Sequence, residues 1–406
     1  MRSKIKPLFF AWAACLTATM LLFPSSAFCG QWDKVAAGIG KQDAAIVYSG
    51  SGEILYSKNG YKPLIPASTL KLLTALAAIS TLGENYRFET EFYRPPNNDL
   101  VIKGYGDPLL VSEQVSAIAE KLAGRISSIR DIVLDDSYFK SPVEIPGAAA
   151  GSIQPYDAPV GALCVNFNTV NFKKEGKTYL SAEPQTPMLP TAVEILQKRK
   201  IKNGRILLPS DNNEYLLYAG ELFAHFFKAR GIEITGNIRP GLAEPEKDRL
   251  VYRYKSPYLL TEVISMLMEY SSNFIANQIL VAAGAEACGP PGTLEKGVGA
   301  LCSYAKDVLG ISPAIAEGSG ISRQNRMTAE MFVPVLNKFA PYRDLLPEKN
   351  GLYCKTGTLE GVETRAGYIE KNGKLYGFAV LINTPDKSAE RVVKEIKSII
   401  CSGALK

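Results

Sequence analysis

The stretch PASTLKLLTALAAISTLG, residues 66–83, opens with a proline, closes with a glycine and is apolar almost throughout. It predicts a helix that is buried on most sides and ends at Gly83. Ser68 and Lys71 lie three residues apart, so this helix places their side chains on one face, one turn apart. Burial lowers the pKa of a lysine, and a neutral Lys71 can take the proton of the Ser68 hydroxyl.

The spacing Ser-x-x-Lys is a weak signal by itself, because it occurs four times in this chain. Only Ser68–Lys71 combines a Pro-Ala entry with a following apolar helix. The other three pairs lie in the N-terminal leader, in a turn and within an amphipathic helix: Ser3–Lys6, Ser137–Lys140 and Ser303–Lys306. Taken alone, Ser68 could equally be a helix-capping serine beside a surface lysine, so the interpretation needs further motifs.

The chain has a single histidine, which leaves little room for histidine-based catalysis. His225 falls in a predicted amphipathic helix that Gly231 ends, where a packing or surface position is the ordinary interpretation. No Gly-x-Ser-x-Gly motif lies near it, and a metal site of several histidines is excluded. Lysine is therefore the better candidate for the general base.

Two further motifs supply partners for this serine and lysine. Lys355-Thr356-Gly357-Thr358 lies on a predicted C-terminal strand, where a lysine beside hydroxyl groups suits a substrate carboxylate and the glycine admits an extended peptide. Ser271-Ser272-Asn273 lies between two predicted helices and offers a hydroxyl for proton relay and an amide for holding substrate. Two competing Ser-x-Asn matches read as a hairpin and a helix-capping region: Ser57-Lys58-Asn59 and Ser210-Asp211-Asn212.

The remaining pattern predicts an α+β fold with one long insertion. Residues 44–57 read as a hairpin, and three strands within 352–383 precede an amphipathic helix at 386–400. Strands at both ends of the chain indicate one sheet assembled from distant segments. Between them, residues 85–250 hold short strands and Gly/Pro turns. We therefore predict a mainly β inserted domain over 85–250 and a second domain built from 28–84 plus 251–406.

The first residues are typical of a secretory leader. Three basic residues precede an apolar run that continues to Phe23, and small residues then allow cleavage after Ala27 or after Cys29. We predict a signal peptide over 1–27 and an exported protein in the periplasm or cell-wall space, with an uncleaved anchor as the alternative. The leader holds three of the 46 bases, which leaves 43 bases against 40 acids, too even a balance to indicate nucleic-acid binding.

Cysteine usage adds one structural expectation. Beyond the leader and Cys29, five cysteines are widely spaced and show no C-x-x-C pair for zinc. An oxidising compartment would allow one disulfide, for which Cys288–Cys302 is the nearest pair.

Ser-x-x-Lys, Ser-x-Asn and Lys-Thr-Gly, in that order, form the signature of penicillin-recognising serine enzymes. The chain resembles their D-Ala-D-Ala carboxypeptidase/endopeptidase branch, the class C low-molecular-mass penicillin-binding proteins. The resemblance extends to segments at 102–109, 134–139, 158–166, 317–323, 355–361 and 366–368. It implies a transpeptidase-like domain, an antiparallel sheet flanked by helices, that an inserted domain interrupts. It implies no metal and no cofactor.

The resemblance also implies a role for each motif residue. Ser68 attacks the carbonyl of the penultimate D-Ala while Lys71 receives its proton, and Ser271 relays a proton to the leaving amine. Asn273 positions the substrate, and the terminal carboxylate binds the segment Lys355, Thr356, Gly357 and Thr358. The backbone N–H groups of Ser68 and Thr358 form the oxyanion hole. The implied partners are peptidoglycan stem peptides ending in D-Ala-D-Ala and β-lactam antibiotics, with no nucleic acid and with peripheral membrane association left open.

The sequence departs from the family pattern at four points. The insertion is somewhat short, Glu317 stands where Asp is typical, Ser272 replaces the frequent Asp or Asn, and Cys354 directly precedes the Lys-Thr-Gly motif. None of these departures removes a catalytic group. One alternative is a β-lactamase or esterase on the same scaffold, against which the long insertion argues. The other is a non-catalytic wall-binding homologue, against which the intact motif set argues.

Overall fold

A computed structural model describes residues 30–209 and 213–402, so the predicted leader and the Ser210-Asp211-Asn212 match lie outside the described residues. The helices within these ranges are α1 (Asp33–Gly38), α2 (Lys71–Leu82), α3 (Ser112–Ala123), α4 (Pro190–Arg199), α5 (Glu214–Ala229), α6 (Leu260–Tyr270), α7 (Asn273–Cys288), α8 (Leu294–Asp307), α9 (Phe332–Phe339) and α10 (Ala389–Ser402). The strands are β1 (Asp43–Ser49), β2 (Ile54–Lys58), β3 (Glu89–Arg94), β4 (Leu100–Gly104), β5 (Ser128–Ile129), β6 (Ile132–Asp135), β7 (Thr169–Glu175), β8 (Thr178–Ser181), β9 (Asn203–Leu207), β10 (Glu233–Ile234), β11 (Ile238–Pro240), β12 (Arg249–Lys255), β13 (Glu348–Lys349), β14 (Leu352–Leu359), β15 (Val362–Lys371) and β16 (Lys374–Ile382).

A six-stranded antiparallel sheet joins the two ends of the chain, in the order β13-β14-β15-β16-β1-β2. β1 and β16 pair from Asp43 opposite Ile382 to Ser49 opposite Tyr376. The predicted N-terminal hairpin, the three C-terminal strands and the single sheet assembled from distant segments are therefore confirmed.

Each face of this sheet is covered by helices. Successive residues of a strand point to opposite faces, so each strand contributes apolar side chains to both. In β1, Ala45 and Val47 belong to one apolar cluster with α1 and α10, whereas Ala44 and Ile46 belong to another with α2, α7 and α9. The amphipathic α10 packs its apolar residues onto the sheet, among them Ile396. The sheet is thus the middle layer of this part of the molecule.

The central helix α2 is buried from Lys71 to Ala78, as its nearly unbroken apolar sequence predicts. Its C-terminal end is Gly83, with a φ of 91° that a residue with a side chain rarely adopts. The α2 helix packs against α7, which in turn lies close to α8. A Cβ on Gly284 would lie 2.4 Å from the backbone nitrogen of Gly297, so these two helices approach each other backbone to backbone.

The segment between the hairpin and α6 builds three sheets of its own. The five-stranded sheet has the order β11-β6-β4-β3-β12, the three-stranded sheet has the order β8-β7-β9, and β5 pairs with β10. β12, which contains the predicted boundary at Leu250, pairs with β3. α5 lies against the five-stranded sheet, where Phe223 contacts Phe92 edge to face.

Two sequence expectations concern single side chains in these elements. The Cys288–Cys302 disulfide is wrong for this structure: both cysteines are free, the first at the exposed end of α7 and the second half-buried in α8. His225 is exposed on α5 against the ring of Phe226, as a surface position predicts. Across residues 30–209 and 213–402, no helix has the length and hydropathy needed to span a membrane.

Candidate active site

Ser68 lies in a short 3₁₀ turn, Ala67–Leu70, that leads into α2. The φ of Ala67 is 46°, a left-handed conformation that costs a residue with a Cβ on the order of 1 kcal/mol. The Thr364 hydroxyl donates to the carbonyl of Pro66 at 2.7 Å and so ties the turn to β15. The turn therefore presents a half-exposed Ser68 at the edge of the six-stranded sheet.

Two glycines allow the neighbouring backbones to close around this turn. A Cβ on Gly320 would lie 1.9 Å from the carbonyl oxygen of Ala67, and one on Gly357 would lie 2.7 Å from the backbone nitrogen of Ser68. No side chain fits at either position. The predicted close approach at Gly357 thus involves the nucleophile's own backbone.

Lys71 Nζ makes three hydrogen bonds although its side chain is fully buried. It donates to the Asn273 Oδ1 at 2.8 Å and to the Ser319 carbonyl at 2.7 Å, and it lies 2.9 Å from the Ser68 Oγ. The first two partners can only accept, so they occupy two N–H groups in either protonation state. The third partner, a hydroxyl, can donate to a neutral amine.

Burial, assisted by the charge of Lys355, holds the pKa of Lys71 well below its ordinary value, and the carboxylate of Glu317 opposes this shift only in part. A lowered pKa favours the neutral amine, in which the lone pair points at the one partner that can donate. The arrangement therefore suits transfer of the Ser68 proton to Lys71.

Ser271 and Asn273 lie at the junction between α6 and α7. Ser271 ends α6 with a φ of 52°, and the Ser272 hydroxyl accepts from the backbone N–H of Ile275 at 3.2 Å, which caps α7. Ser272 therefore replaces the more usual Asp or Asn with another good helix cap. The amide nitrogen of Asn273 donates to the carbonyl of Tyr156 at 3.1 Å, which fixes its oxygen towards Lys71.

Lys355 contacts the second serine of the site. Its Nζ donates to the Ser271 Oγ at 2.8 Å and to the Thr356 carbonyl at 2.9 Å. Burial lowers the pKa of Lys355 to about 8, and the groups of Cys354 and Glu269 oppose this shift. The structure thus brings the predicted residues together in two neighbouring groups. Ser68 and Asn273 contact Lys71, and Ser271 contacts Lys355.

Within the described part of the chain, the edge of β14 beside Ser68 is open. β13 covers only Leu352 and Tyr353, and the Cys354 N–H donates outwards to the carbonyl of Pro347 at 3.1 Å. Because the backbone groups of a strand alternate with a period of two, the N–H groups of Thr356 and Thr358 also point to this open edge. An extended peptide can add to the sheet here, and the Thr358 N–H is available to an oxyanion.

Glu317 is a part of the site that the sequence marked only as a departure from the family pattern. Its fully buried carboxylate accepts from the backbone N–H groups of residues 319, 320 and 322, and from the side chains of Asn277, Ser319 and Asn325, at 2.6–3.3 Å. The loop that it organises supplies the Ser319 carbonyl to Lys71. The family-like position of Glu317 was the available signal, but that position does not reveal the backbone N–H groups of its own loop or the Asn277 amide of α7 as its partners.

The competing Ser-x-x-Lys and Ser-x-Asn motifs are exposed or make contacts that hold other segments together. Ser137–Lys140 and Ser303–Lys306 are exposed, on a turn and on α8. In Ser57-Lys58-Asn59, the serine hydroxyl donates to Glu330, and the lysine and asparagine donate to backbone carbonyls of the N-terminal region. The structure therefore separates these matches from the cluster around Ser68.

Comparison with known proteins identifies the family of the chain. A model of the D-Ala-D-Ala carboxypeptidase 3 (S13) family matches residues 36–206 and 206–349. A D-alanyl-D-alanine carboxypeptidase from Actinomadura sp. (strain R39) is 26% identical to this chain, in an alignment that covers 86% of this chain and 79% of that protein.

Solved structures of similar fold support the predicted fold class. Penicillin binding protein 4 from Haemophilus influenzae has a TM-score of 0.72 at 21% identity, over 91% of this chain and 98% of that one. A predatory endopeptidase from Bdellovibrio bacteriovorus, acylated by penicillin G and complexed with an immunity protein, has a TM-score of 0.53 at 16% identity, over 88% and 90%. The α+β fold with an inserted domain is confirmed. Because the family model covers most of its length, the chain belongs to the D-Ala-D-Ala carboxypeptidase 3 (S13) family.

Proposed function

We propose that this chain is a serine-type D-Ala-D-Ala carboxypeptidase, endopeptidase or both, acting on peptidoglycan stem peptides through an acyl-enzyme on Ser68. One observation carries the proposal: the buried Lys71 Nζ lies 2.9 Å from the Ser68 hydroxyl, and its two other hydrogen-bond partners can only accept. The family and the names of its members support the substrate class. The leader in the sequence supports export to the periplasm or cell-wall space.

Acylation begins when Ser68 Oγ attacks the carbonyl carbon of the penultimate D-Ala and its proton passes to the neutral Lys71. The negative charge that develops on the carbonyl oxygen is stabilised by the backbone N–H groups of Ser68 and Thr358. The close approach of Gly357 to the Ser68 backbone supports this placement. The carbonyl C=O π bond is replaced by the C–Oγ bond in this step.

Collapse of the tetrahedral intermediate breaks the peptide C–N bond, and the departing amine needs one proton. The Ser271 hydroxyl is suited to pass on the proton that Lys71 gained, because Lys355 Nζ holds its oxygen at 2.8 Å. A water molecule then hydrolyses the ester. Lys71, neutral again, takes the proton of that water and Ser68 recovers its own.

Substrate binding uses the open edge of β14. Thr356 and Thr358 are exposed there, and a charged Lys355 attracts the terminal carboxylate. The amide of Asn273, which the carbonyl of Tyr156 holds, is suited to position the substrate. The likeness to a neighbour that penicillin G acylates supports β-lactams as ligands of the same groups.

The experiment that tests this proposal measures release of D-Ala from a pentapeptide muropeptide by the purified mature protein. We expect release by the wild type and none by Ser68→Ala. A matched control is Ser303→Ala, which removes the serine of an exposed Ser-x-x-Lys pair and should leave the rate unchanged. The proposal is wrong if the wild type acts on neither this peptide nor a cross-linked muropeptide, or if Ser68→Ala keeps the activity.

A further inference from the structure

A cavity of about 540 Å³ lies beside the α6–α7 junction, between these helices and the inserted domain. Ser271, Ser272 and Asn273 form part of its wall, whereas Ser68 and β14 do not line it. Since Ser271 is the residue proposed to protonate the leaving amine, the cavity adjoins the leaving-group side of the reaction.

A strained segment forms another wall of this cavity. The backbone of Asn166, Phe167 and Asn168 is left-handed at three consecutive residues, with φ values of 49°, 59° and 50°. Such a conformation is uncommon for a bulky residue and is energetically strained. Hydrogen bonds of two buried asparagines hold it: the Asn166 Oδ1 accepts from the Ser112 N–H at 2.9 Å, and the Asn168 amide donates to the carbonyl of Pro159 at 2.8 Å.

The strain places an aromatic ring in the cavity. The ring of Phe167 contacts the ring of Phe274 edge to face, with centroids 6.2 Å apart. Phe274 directly follows Asn273 in the chain. Strained backbone persists where the surrounding structure enforces it and is concentrated at functional sites. The cavity is therefore a built feature of the fold.

The lining combines apolar and cationic groups. Two tyrosines form an open rim, Tyr156 at 57% and Tyr270 at 76% exposure, and Met266 adds a flexible apolar wall. The guanidinium of Arg205, on β9, also lines the cavity; it forms an ion pair with Glu183 and donates to the Thr169 hydroxyl at 3.4 Å. A guanidinium has five N–H groups, so these two bonds leave donors for a ligand.

We propose that this cavity binds the stem peptide on the leaving-group side of a cross-link, with an aliphatic chain between the aromatic rings and a carboxylate on Arg205. The inference rests on the proposed function, because it takes Ser271 as the donor to the leaving amine. Free D-Ala is too small to reach from the scissile bond into such a cavity, whereas a second stem peptide continues beyond the bond. The cavity therefore favours cross-link cleavage over removal of the terminal D-Ala.

The test compares cleavage of a cross-linked muropeptide dimer with D-Ala release from the monomeric pentapeptide in two surface variants, Arg205→Gln and Tyr270→Ala. Loss of a charge-assisted hydrogen bond or an aromatic contact should lower kcat/KM for the dimer about tenfold. Release of D-Ala and acylation of Ser68 by a labelled penicillin should stay within about twofold, since neither uses the cavity. Arg249→Gln, an exposed arginine on β12, is the matched control and should change none of these rates.

Four outcomes would overturn the inference. Equal losses for dimer and monomer would show a general effect on the site. Unchanged rates in both variants would show that the substrate does not use the cavity. If the two variants bound a peptide-free glycan more weakly than the wild type does, the cavity would be assigned to the sugar chain. A wild type that forms the penicillin adduct and releases D-Ala but does not cleave the dimer would also overturn it, while leaving the proposed function intact.

Discussion

The two lysines of the site are both buried, yet their surroundings suit them to opposite charge states. Lys71 faces two carbonyl oxygens and one hydroxyl, and its pKa lies well below the ordinary value. Lys355 faces the Ser271 hydroxyl and one carbonyl, and its pKa is lowered only to about 8. Between the two pKa values, a neutral base and a cationic carboxylate-binding group can therefore coexist in one site.

These pKa shifts predict a bell-shaped pH dependence for acylation of Ser68. The rate constant should rise with pH as Lys71 loses its proton, over a range well below the ordinary lysine pKa. It should fall as pH rises through about 8, because Lys355 then loses the charge that attracts the substrate carboxylate. Because the two lysines interact, the two limbs report values of the pair.

The measurement is the second-order rate constant for acylation by a carboxylate-bearing penicillin between pH 5 and pH 10. Lys355→Arg is the informative variant, since arginine keeps its charge and the alkaline limb should disappear. A wild-type rate that continues to rise beyond pH 9 would contradict the assignment.

At the scale of single residues, much of the site could be predicted from sequence. Spacing and apolar context pointed to Ser68 and Lys71, and the local hairpin and helix-capping patterns of its competitors favoured Ser271. The contact of Lys71 with the backbone carbonyl of Ser319 could not be predicted, because a backbone carbonyl carries no sequence signal. The same holds for the Tyr156 carbonyl that fixes the amide of Asn273.

At the scale of elements, short connecting segments fix the positions of the catalytic groups. The loop from Glu317 to Asn325 folds around one carboxylate and presents the Ser319 carbonyl to α2. β14 and the turn at Ala67 approach so closely that only glycine fits between them. Sequence periodicity located α2 and β14 but not these contacts, which depend on how distant elements meet.

Glu317→Gln should destabilise the protein by about 3 kcal/mol, because an amide nitrogen then faces buried N–H donors and leaves them without acceptors. Urea unfolding measures this, and acylation should slow as well, since the loop holds the Ser319 carbonyl. Glu246→Gln, on an exposed loop, is the control and should stay within about 0.5 kcal/mol of the wild type. An unfolding free energy equal to that of the wild type would refute the role assigned to this carboxylate.

Gly357→Ala should slow acylation about 100-fold, because a Cβ there meets the Thr364 hydroxyl at 2.4 Å and the Ser68 nitrogen at 2.7 Å and must displace the nucleophile. The rate of penicillin acylation at saturating concentration measures the effect. Gly299→Ala in α8 is the matched control, because nothing lies within 4 Å of a Cβ at that position. Acylation within threefold of the wild-type rate would show that the close approach is unimportant.

At the scale of the whole molecule, the site is assembled from segments far apart in the chain. The turn before α2, the α6–α7 junction, the Glu317 loop and β14 meet at one edge of the six-stranded sheet. The inserted domain takes part through the Tyr156 carbonyl. Terminal strands and motif order predicted the sheet and the insertion, whereas the sheets inside residues 85–250 could not be derived from their short strands.

The most direct test of the account is the mapping of a penicillin adduct on the purified mature protein. We predict a single stable acyl adduct on the peptide that contains Ser68, with none on Ser68→Ala and an acylation rate about 10²–10⁴ lower for Lys71→Met, which cannot accept a proton. Rapid turnover of the adduct would instead favour the β-lactamase alternative. An adduct on another residue, or no adduct on a folded protein, would contradict the central claim that Ser68 is the nucleophile.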